Sequence, residues 1–183
     1  MTGPLNKFRS FFKDREKTDS SEPEERIAAT LTKDQIDNYN TERTGKDRSS
    51  FCYAPLSDLY FGRGGKVYCC CHNRYHQVGS YPENSIDSIW NGKPINELRQ
   101  HLAGYNLSLG CQHCQRFMDR GSYTGAPSSH FDKLDRHPQF PTMMEFELDS
   151  VCNLECAMCN GELSSAIRKN RDHLPPIESA YTE

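Results

Sequence analysis

The pattern of hydrophobic and polar positions changes near residue 51, where short apolar runs begin to alternate with turn residues. Two of these runs flank the glycine-rich segment 62–65, which predicts a β-hairpin. Two apolar faces at helical spacing follow the hairpin. They carry Ile86, Ile89 and Trp90 in the first predicted helix, and Ile95, Leu98 and Leu102 in the second. Pro94 suits the first turn of the second helix and Gly104 its end. The pattern therefore predicts a small α+β module.

A second unit is predicted near the C-terminal end of the sequence. Residues 143–148 alternate apolar and polar positions, which is typical of a strand. A loop with three cysteines comes next, and then apolar residues at helical spacing up to about Asn170. Leu174-Pro175-Pro176 ends that helix. We expect a strand–loop–helix unit here.

Two polar stretches divide the chain into four segments. Residues 1–50 are rich in charged residues, serine and threonine, and we interpret them as a partly disordered N-terminal extension. Residues 119–140 carry glycine, serine and proline, which indicates a linker. The cysteine-rich module then occupies 51–118, and the C-terminal unit occupies 141–183.

The start of the extension has an apolar pattern of its own. Leu5, Phe8, Phe11 and Phe12 recur at roughly helical spacing between lysines and arginines. The segment is either a basic amphipathic helix for a membrane surface or partner, or a frayed or docked tail.

Composition limits the classes of protein to consider. The 183 residues are 35% hydrophobic with a mean hydropathy of −0.83, so one large core is not expected. A net charge of −3 gives no reason to expect nucleic acid as a partner. The sequence has no apolar stretch for a transmembrane segment or a signal peptide, so we expect a cytoplasmic protein. In that compartment, nine cysteines are expected to act as metal ligands or reactive thiols.

Three cysteines of the C-terminal unit have the spacing Cys152-x3-Cys156-x2-Cys159. Thiolates are soft ligands that select iron–sulfur clusters, zinc or Cu(I). A closed structural site needs four protein ligands, so this loop leaves one metal position open to a small chelating ligand. The alternative is a zinc site completed by a histidine such as His173.

Four other cysteines form a second candidate site, namely Cys52, Cys70, Cys111 and Cys114. Cys111-x2-Cys114 can hold one metal from a single turn, and pairing of the hairpin strands would bring Cys52 towards Cys70. We expect the side chain of His113 to point away from this site. Four thiolates would bind a 4Fe–4S cluster or, as the alternative, a structural zinc ion.

The segment 151–160, Val-Cys-Asn-Leu-Glu-Cys-Ala-Met-Cys-Asn, closely resembles the cluster loop of radical S-adenosylmethionine (radical SAM) enzymes. The resemblance implies a 4Fe–4S cluster on Cys152, Cys156 and Cys159 whose open iron chelates S-adenosylmethionine. Reductive cleavage of this cofactor would then give a 5′-deoxyadenosyl radical that abstracts hydrogen from a substrate. Met158 stands where the family usually has an aromatic residue against the adenine, and Asn160 is the other cofactor-binding candidate. Flavodoxin or ferredoxin would be the electron donor.

Residues 51–117 resemble the auxiliary-cluster module called SPASM or, in its shorter form, twitch. The resemblance rests on Phe-Cys-Tyr-Ala-Pro at 51–55, the Gly65 strand with its three cysteines, Ser-Ile-Asp-Ser-Ile-Trp-Asn at 85–91, and Gly-Cys-Gln-His-Cys at 110–114. It implies one auxiliary 4Fe–4S cluster, with Cys70 as ligand, Cys69 in a slot more often held by proline, and Cys71 as a non-ligand or reserve. The register among these three cysteines is open by one position.

Together the resemblances imply a radical SAM oxidoreductase whose substrate is a peptide. The C-terminal unit would be the first strand–loop–helix of an α/β, partly TIM-like barrel, preceded by the auxiliary module. Such a barrel needs roughly 200 residues, whereas 24 follow Cys159. We therefore expect the N-terminal portion of a longer enzyme, incomplete for catalysis alone. The alternative is a non-catalytic zinc- or cluster-binding interaction module.

Overall fold

A computed structural model describes residues 30–137, 139–177 and 180–181 of the chain. The apolar segment around Phe8 and Phe11 lies outside these residues. Within them, the fold is a small α+β arrangement built on a mixed sheet with the strand order β3-β2-β1-β4. The strands are β1 (Asp58–Phe61), β2 (Lys66–Tyr68), β3 (Gly79–Ser80) and β4 (Met143–Phe146). The helices are α1 (Lys33–Glu42), α2 (Ile86–Trp90), α3 (Lys93–Ala103), α4 (Gln112–Asp119) and α5 (Ser165–Asn170).

The predicted hairpin is confirmed. Strand β1 pairs antiparallel with β2, and Phe61 lies opposite Val67. The turn between them closes when the amide of Gly65 donates to the carbonyl of Gly62 at 2.9 Å. Gly65 has a φ of +76°, which favours glycine over residues with a side chain.

The two predicted helices, α2 and α3, are also confirmed. Ser85 caps α2, Pro94 lies in the first turn of α3, and Gly104 is the C-cap of α3. The helices and the hairpin together bury an apolar cluster of Leu59, Phe61, Val67, Val78, Ile89, Trp90 and Ile95. This cluster holds the hairpin in place. Because the cysteine triplet directly follows β2, the cluster also sets the position of the triplet.

A second apolar cluster lies around the cysteines of the module. It includes Phe51, Tyr53, Leu98, Leu102 and Met118, together with Cys52, Cys69, Cys70 and Cys114. Cys111 and Cys114 were predicted to lie on a turn, which is wrong for Cys114. Cys114 lies inside α4, because Cys114 and Met118 are four residues apart and bury the same helical face.

Part of the predicted N-terminal extension packs against the module. Helix α1 begins with a capping box between Thr32 and Gln35. On α1, Tyr39 is fully buried, and its hydroxyl lies 3.1 Å from the carbonyl oxygen of Phe51 and 2.8 Å from Ser128 Oγ. One aromatic residue thus anchors a helix whose other side chains are mostly polar.

The segment 119–140, predicted to be a linker, contains two 3₁₀ helices at Tyr123–Gly125 and Pro127–Lys133. Phe131 is buried in the cluster that surrounds the cysteines. Asp132 forms an ion pair with Arg43, and both side chains are fully buried. The segment therefore covers the cysteine side of the module.

The predicted strand β4 is confirmed, and it joins the sheet of the hairpin. It pairs parallel with β1, in a register that places Asp58 opposite Met143 and Phe61 opposite Phe146. The cysteine loop leaves the carboxyl end of β4 and returns through α5. In the described part of the chain, every helix is too short or too polar to cross a membrane.

Candidate metal centres

Five thiols line one small cavity of about 20 Å³ between the end of the hairpin and α4. They belong to Cys52, Cys69, Cys70, Cys111 and Cys114. Cys52 precedes β1, Cys69 and Cys70 follow β2, and the other two begin α4. The structure thus brings together all four cysteines predicted for the second site, with Cys69 as a fifth.

Polar groups lie beside the sulfurs of the four predicted ligands, and two of these sulfurs accept hydrogen bonds. The amide of Ala54 donates to Cys52 Sγ at 3.4 Å, and Asn73 Nδ2 donates to Cys111 Sγ at 3.5 Å. Ser128 favours the ionised form of the Cys114 thiol and so lowers its pKa, and the backbone amides of His72 and Asn73 act in the same way on the pKa of Cys70. Donors of this kind stabilise ionised, metal-bound cysteine sulfur.

The three consecutive cysteines face different surroundings. Cys69 and Cys70 are both buried. Cys71 is half-buried near the carboxyls of Glu145 and Asp58, and it is not among the residues that line the cavity. The structure thus places Cys69 and Cys70 at the cavity and Cys71 outside its lining.

The protonation of these thiols follows their burial. Burial raises the pKa of Cys52 and Cys111 well above the usual range, and it raises the pKa of Cys114 to about 12. The neighbouring thiol of Cys69 lowers the pKa of Cys70. Buried neutral thiols must release protons when they bind a metal, so metal binding is coupled to pH.

The donor set fits a thiolate-bound metal centre in its chemistry. Soft ligands, sulfur-directed hydrogen bonds and apolar walls such as Phe51 and Phe131 are what an iron–sulfur cluster requires. Among the described residues, however, no three cysteine, histidine, aspartate or glutamate side chains already stand in ligand geometry. The thiols share a cavity, and the metal would set their final positions.

Two histidines lie at the same cavity. The rings of His72 and His113 are stacked, with centroids 4.7 Å apart and planes inclined by 8°. His113 was expected to point away from the site, yet it lines the cavity, since the helical backbone of α4 turns it towards His72. Burial lowers the pKa of His72, and the neighbouring His113 lowers it further.

Asn73 is a site residue that sequence analysis missed. Only 1% of it is exposed, and its side chain joins the two cysteine segments by donating to the carbonyl of Leu109 at 2.9 Å and to Cys111 Sγ. Gly110 allows this contact, because a Cβ there would lie 2.1 Å from Asn73 Oδ1. Nearness to the cysteine triplet was the sole sequence signal for Asn73.

The other predicted site lies on the surface. Cys156 is exposed, Cys152 and Cys159 are partly buried, and 97% of Met158 is exposed. The loop is held through its backbone. Ser164 Oγ lies 3.0 Å from the carbonyl oxygen of Cys152 and 2.7 Å from that of Leu154, and the side chain of Arg171 donates to the carbonyl of Cys159 at 2.6 Å. The side chain of Asn160 accepts a hydrogen bond from the amide of Glu162 and so shapes the turn after the third cysteine.

An ionic network connects this loop with the module. Glu147, directly after β4, accepts from the hydroxyl of Tyr60 at 2.6 Å and pairs with Arg74 at 3.1 Å and Arg63 at 3.2 Å. Arg63 also lies 4.0 Å from Glu162, in the turn after the loop. The two cysteine sets are therefore attached to one sheet and one network of charges.

Comparison with known families supports iron–sulfur chemistry for the module. The model of the SPASM iron–sulfur cluster-binding domain matches residues 52–115, about a third of the chain. The match begins at Cys52 and includes every cysteine that lines the cavity. Residues 52–115 are therefore a SPASM-type iron–sulfur cluster-binding domain. No curated protein and no solved structure matches the chain significantly.

Proposed function

We propose that this chain belongs to a radical SAM oxidoreductase that acts in the cytoplasm. In this proposal Cys52, Cys70, Cys111 and Cys114 bind an auxiliary 4Fe–4S cluster, and Cys152, Cys156 and Cys159 bind the cluster that holds S-adenosylmethionine. The observation that carries the proposal is that the thiol-lined cavity of the SPASM-type domain and the C-x3-C-x2-C loop are attached to the same sheet.

At the auxiliary centre the protein supplies ligands, hydrogen bonds and apolar walls. Ala54 and Asn73 donate to the sulfurs of Cys52 and Cys111, which carry negative charge when they bind metal. Phe51 and Phe131 give the cavity apolar walls. Such a cluster would accept an electron from the substrate radical or help to position the substrate.

At the loop, three thiolates leave one metal position for the amino and carboxylate groups of S-adenosylmethionine. When bound, the cluster supplies the electron that cleaves this cofactor into methionine and a 5′-deoxyadenosyl radical. The exposure of Cys156 and Met158 leaves the loop accessible to the cofactor, to a peptide substrate and to an electron donor such as flavodoxin or ferredoxin. The fully exposed thioether of Met158 is free to pack against the adenine.

A second candidate function is a non-catalytic iron–sulfur or zinc-binding interaction module. Two observations favour it. The family match covers residues 52–115 and does not include the C-x3-C-x2-C loop, and no three of the described cysteines already stand in ligand geometry. The second function makes no use of S-adenosylmethionine, so cleavage of this cofactor separates the two.

The experiment is anaerobic reconstitution of the natural gene product with iron and sulfide, followed by reduction in the presence of S-adenosylmethionine. Cys156→Ala should abolish formation of 5′-deoxyadenosine, because the loop loses a ligand. Cys111→Ala, the matched control in the module, should lose about half of the iron but keep cofactor cleavage at least in part. An unaltered protein that assembles its clusters and forms no 5′-deoxyadenosine would exclude the enzyme and leave the interaction module.

A further inference from the structure

We infer that Arg63 is a positioning residue for the C-x3-C-x2-C loop, which it attaches at both ends to the SPASM-type domain. Arg63 lies in the turn between β1 and β2, within the matched part of the chain. Its partners are Glu147, shortly before the first cysteine of the loop, and Glu162, shortly after the third. The consequence for S-adenosylmethionine rests on the proposed function, whereas the contacts of Arg63 do not.

The contact at the start of the loop is the more enclosed of the two. Arg63 Nε lies 3.2 Å from Glu147 Oε1, and the two side chains are 10% and 17% exposed. An ion pair so little exposed is only weakly screened by salt. The amide of Glu147 also donates to the carbonyl of Phe61 at 2.8 Å. Both the backbone and the side chain of Glu147 are therefore fixed to the hairpin.

The contact at the end of the loop places one carboxylate between two arginines. Arg63 Nη2 lies 4.0 Å from Glu162 Oε2, and Arg168 Nη1, on α5, lies 3.3 Å from Glu162 Oε1. A guanidinium is a planar group with donors on three nitrogens, so it can face two carboxylates at the same time. Arg63 thus contacts both ends of the segment that carries the three cysteines.

The backbone that carries Arg63 is itself held in place. The amide of Gly62 donates to the carbonyl of Lys66 at 2.9 Å, across the turn. The amide of Ala180 donates to the carbonyl of Arg63 at 2.8 Å, and the hydroxyl of Tyr181 donates to the carbonyl of Gly62 at 2.6 Å. The side chain of Arg63 therefore extends from a fixed turn.

A gain in stability does not account for a buried arginine at this position. Arg63 is 9% exposed, and its Nη1 atom is buried with no acceptor among the described residues. A buried ion pair that is incompletely hydrogen-bonded often contributes no more to stability than an apolar residue of similar volume. What an apolar residue could not do is hold Glu147 and Glu162 in place.

Hydrogen–deuterium exchange of the anaerobically reconstituted gene product, without S-adenosylmethionine, tests the contact itself. Arg63→Met removes the guanidinium and keeps an apolar side chain. The amides of Cys159 and Ala166 donate to carbonyls of loop cysteines at 3.0 and 3.1 Å. They should exchange about threefold faster in Arg63→Met, because a partly exposed ion pair is lost. The iron and sulfide of the auxiliary cluster should be retained.

Two further variants separate positioning from charge alone. Arg63→Lys keeps the charge, but one ammonium group cannot face both glutamates as the guanidinium does, so the exchange should be intermediate. Arg74→Met is the matched control, because it removes the other arginine from Glu147 and leaves the contact of Arg63 with Glu162. It should leave the exchange of the two loop amides as in the parent.

The effect on the cofactor is a separate measurement. Arg63→Met should raise the KM for S-adenosylmethionine about threefold and lower kcat by less, because the loosened loop must be ordered when the cofactor binds. A parent protein that forms no 5′-deoxyadenosine would overturn the proposed function, and the exchange measurement would still decide the role of Arg63.

Two results would overturn the inference. One is unchanged exchange of the two loop amides in Arg63→Met. The other is loss of auxiliary iron in Arg63→Met together with faster exchange throughout residues 52–115, since Arg63 would then support the fold of the module and not the position of the loop.

Discussion

At the scale of single residues, Asp58 is unusual because it is a carboxylic acid in the buried interior. It is fully buried in β1, and neither of its carboxylate oxygens receives a hydrogen bond from the described residues. Burial and, after it, the nearby carboxyl of Glu145 raise the pKa of Asp58 to about 8. At neutral pH the folded protein therefore keeps a proton on Asp58.

This proton makes stability depend on pH. Between about pH 4 and pH 8 the unfolded chain has lost the Asp58 proton while the folded protein retains it, so the free energy of unfolding falls as pH rises. Asp58→Asn removes the titration and keeps the shape. We expect it to raise the free energy of unfolding at pH 8 by more than about 1 kcal/mol and to flatten the decline from pH 5. Urea denaturation of the cluster-loaded protein at both pH values measures this.

The control for Asp58 is Asp34→Asn, at an exposed position in the first turn of α1. It should leave the decline in stability from pH 5 to pH 8 as in the parent. An equal decline in Asp58→Asn and the parent would show that Asp58 is ionised in the folded protein.

Four cysteines of the cavity were predictable from sequence, whereas the polar groups beside their sulfurs were not. Cysteine spacing encodes a metal site directly, so Cys52, Cys70, Cys111 and Cys114 could be selected before the fold was known. Asn73 and Ser128 are ordinary polar residues whose roles come from burial beside sulfur. Burial depends on which elements pack together, and the local sequence does not state it.

At the scale of elements, the start of α5 is what holds the predicted S-adenosylmethionine loop. Ser164 is the N-cap of α5 and accepts the amide of Ile167 at 3.3 Å. The same hydroxyl contacts the carbonyls of Cys152 and Leu154. One side chain thus ties the first cysteine of the loop to the helix that follows it.

Ser164→Ala should cost about 1 kcal/mol of stability and reduce the iron retained by the loop. Its matched control is Ser85→Ala, which removes the N-cap of α2, a helix of the module. Both variants lose a cap, but Ser85→Ala should leave the loop cluster intact. Iron and sulfide analysis in a Cys111→Ala background measures the loop cluster by itself. Equal iron in both variants would contradict a role of Ser164 in the loop.

The strength of the local sequence signal decided which elements could be predicted. The hairpin, α2, α3 and β4 have clear turns or apolar periodicity. In α4 the signal was hidden, because Cys114 was counted as a ligand and not as part of the apolar face that it shares with Met118. The 3₁₀ helix Pro127–Lys133 has few apolar residues, and Phe131 is buried by long-range packing.

At the scale of the whole molecule, the buried ion pair of Arg43 and Asp132 attaches segment 119–140, which covers the cysteine cavity, to the N-terminal part of the described chain. Arg43 Nε donates to Asp132 Oδ2 at 2.9 Å, and Arg43 Nη1 donates to the carbonyl of Ser50 at 2.8 Å. The segment held in this way places Ser128 and Phe131 over the cysteine cavity.

Asp132→Ala leaves the guanidinium of Arg43 buried without its counter-charge. We expect a loss of about 3–5 kcal/mol of stability and faster removal of iron by a chelator, because the cover of the cavity loosens. Glu97→Ala is the control, since it breaks the exposed pair with Lys93 and should cost at most about 1 kcal/mol. Similar chelation rates in the two variants would contradict the role of the cover.

The pairing of β4 with β1 also has a consequence for the order of events during synthesis. Asp58 and Met143 are neighbours in the sheet but lie 85 residues apart in the chain. All five cysteines of the cavity are synthesised before β4. The module can therefore bind its metal first, and β4 then pairs with the free edge of β1 in the sheet that has already formed. The cysteine loop takes its place last, on a platform that is already assembled.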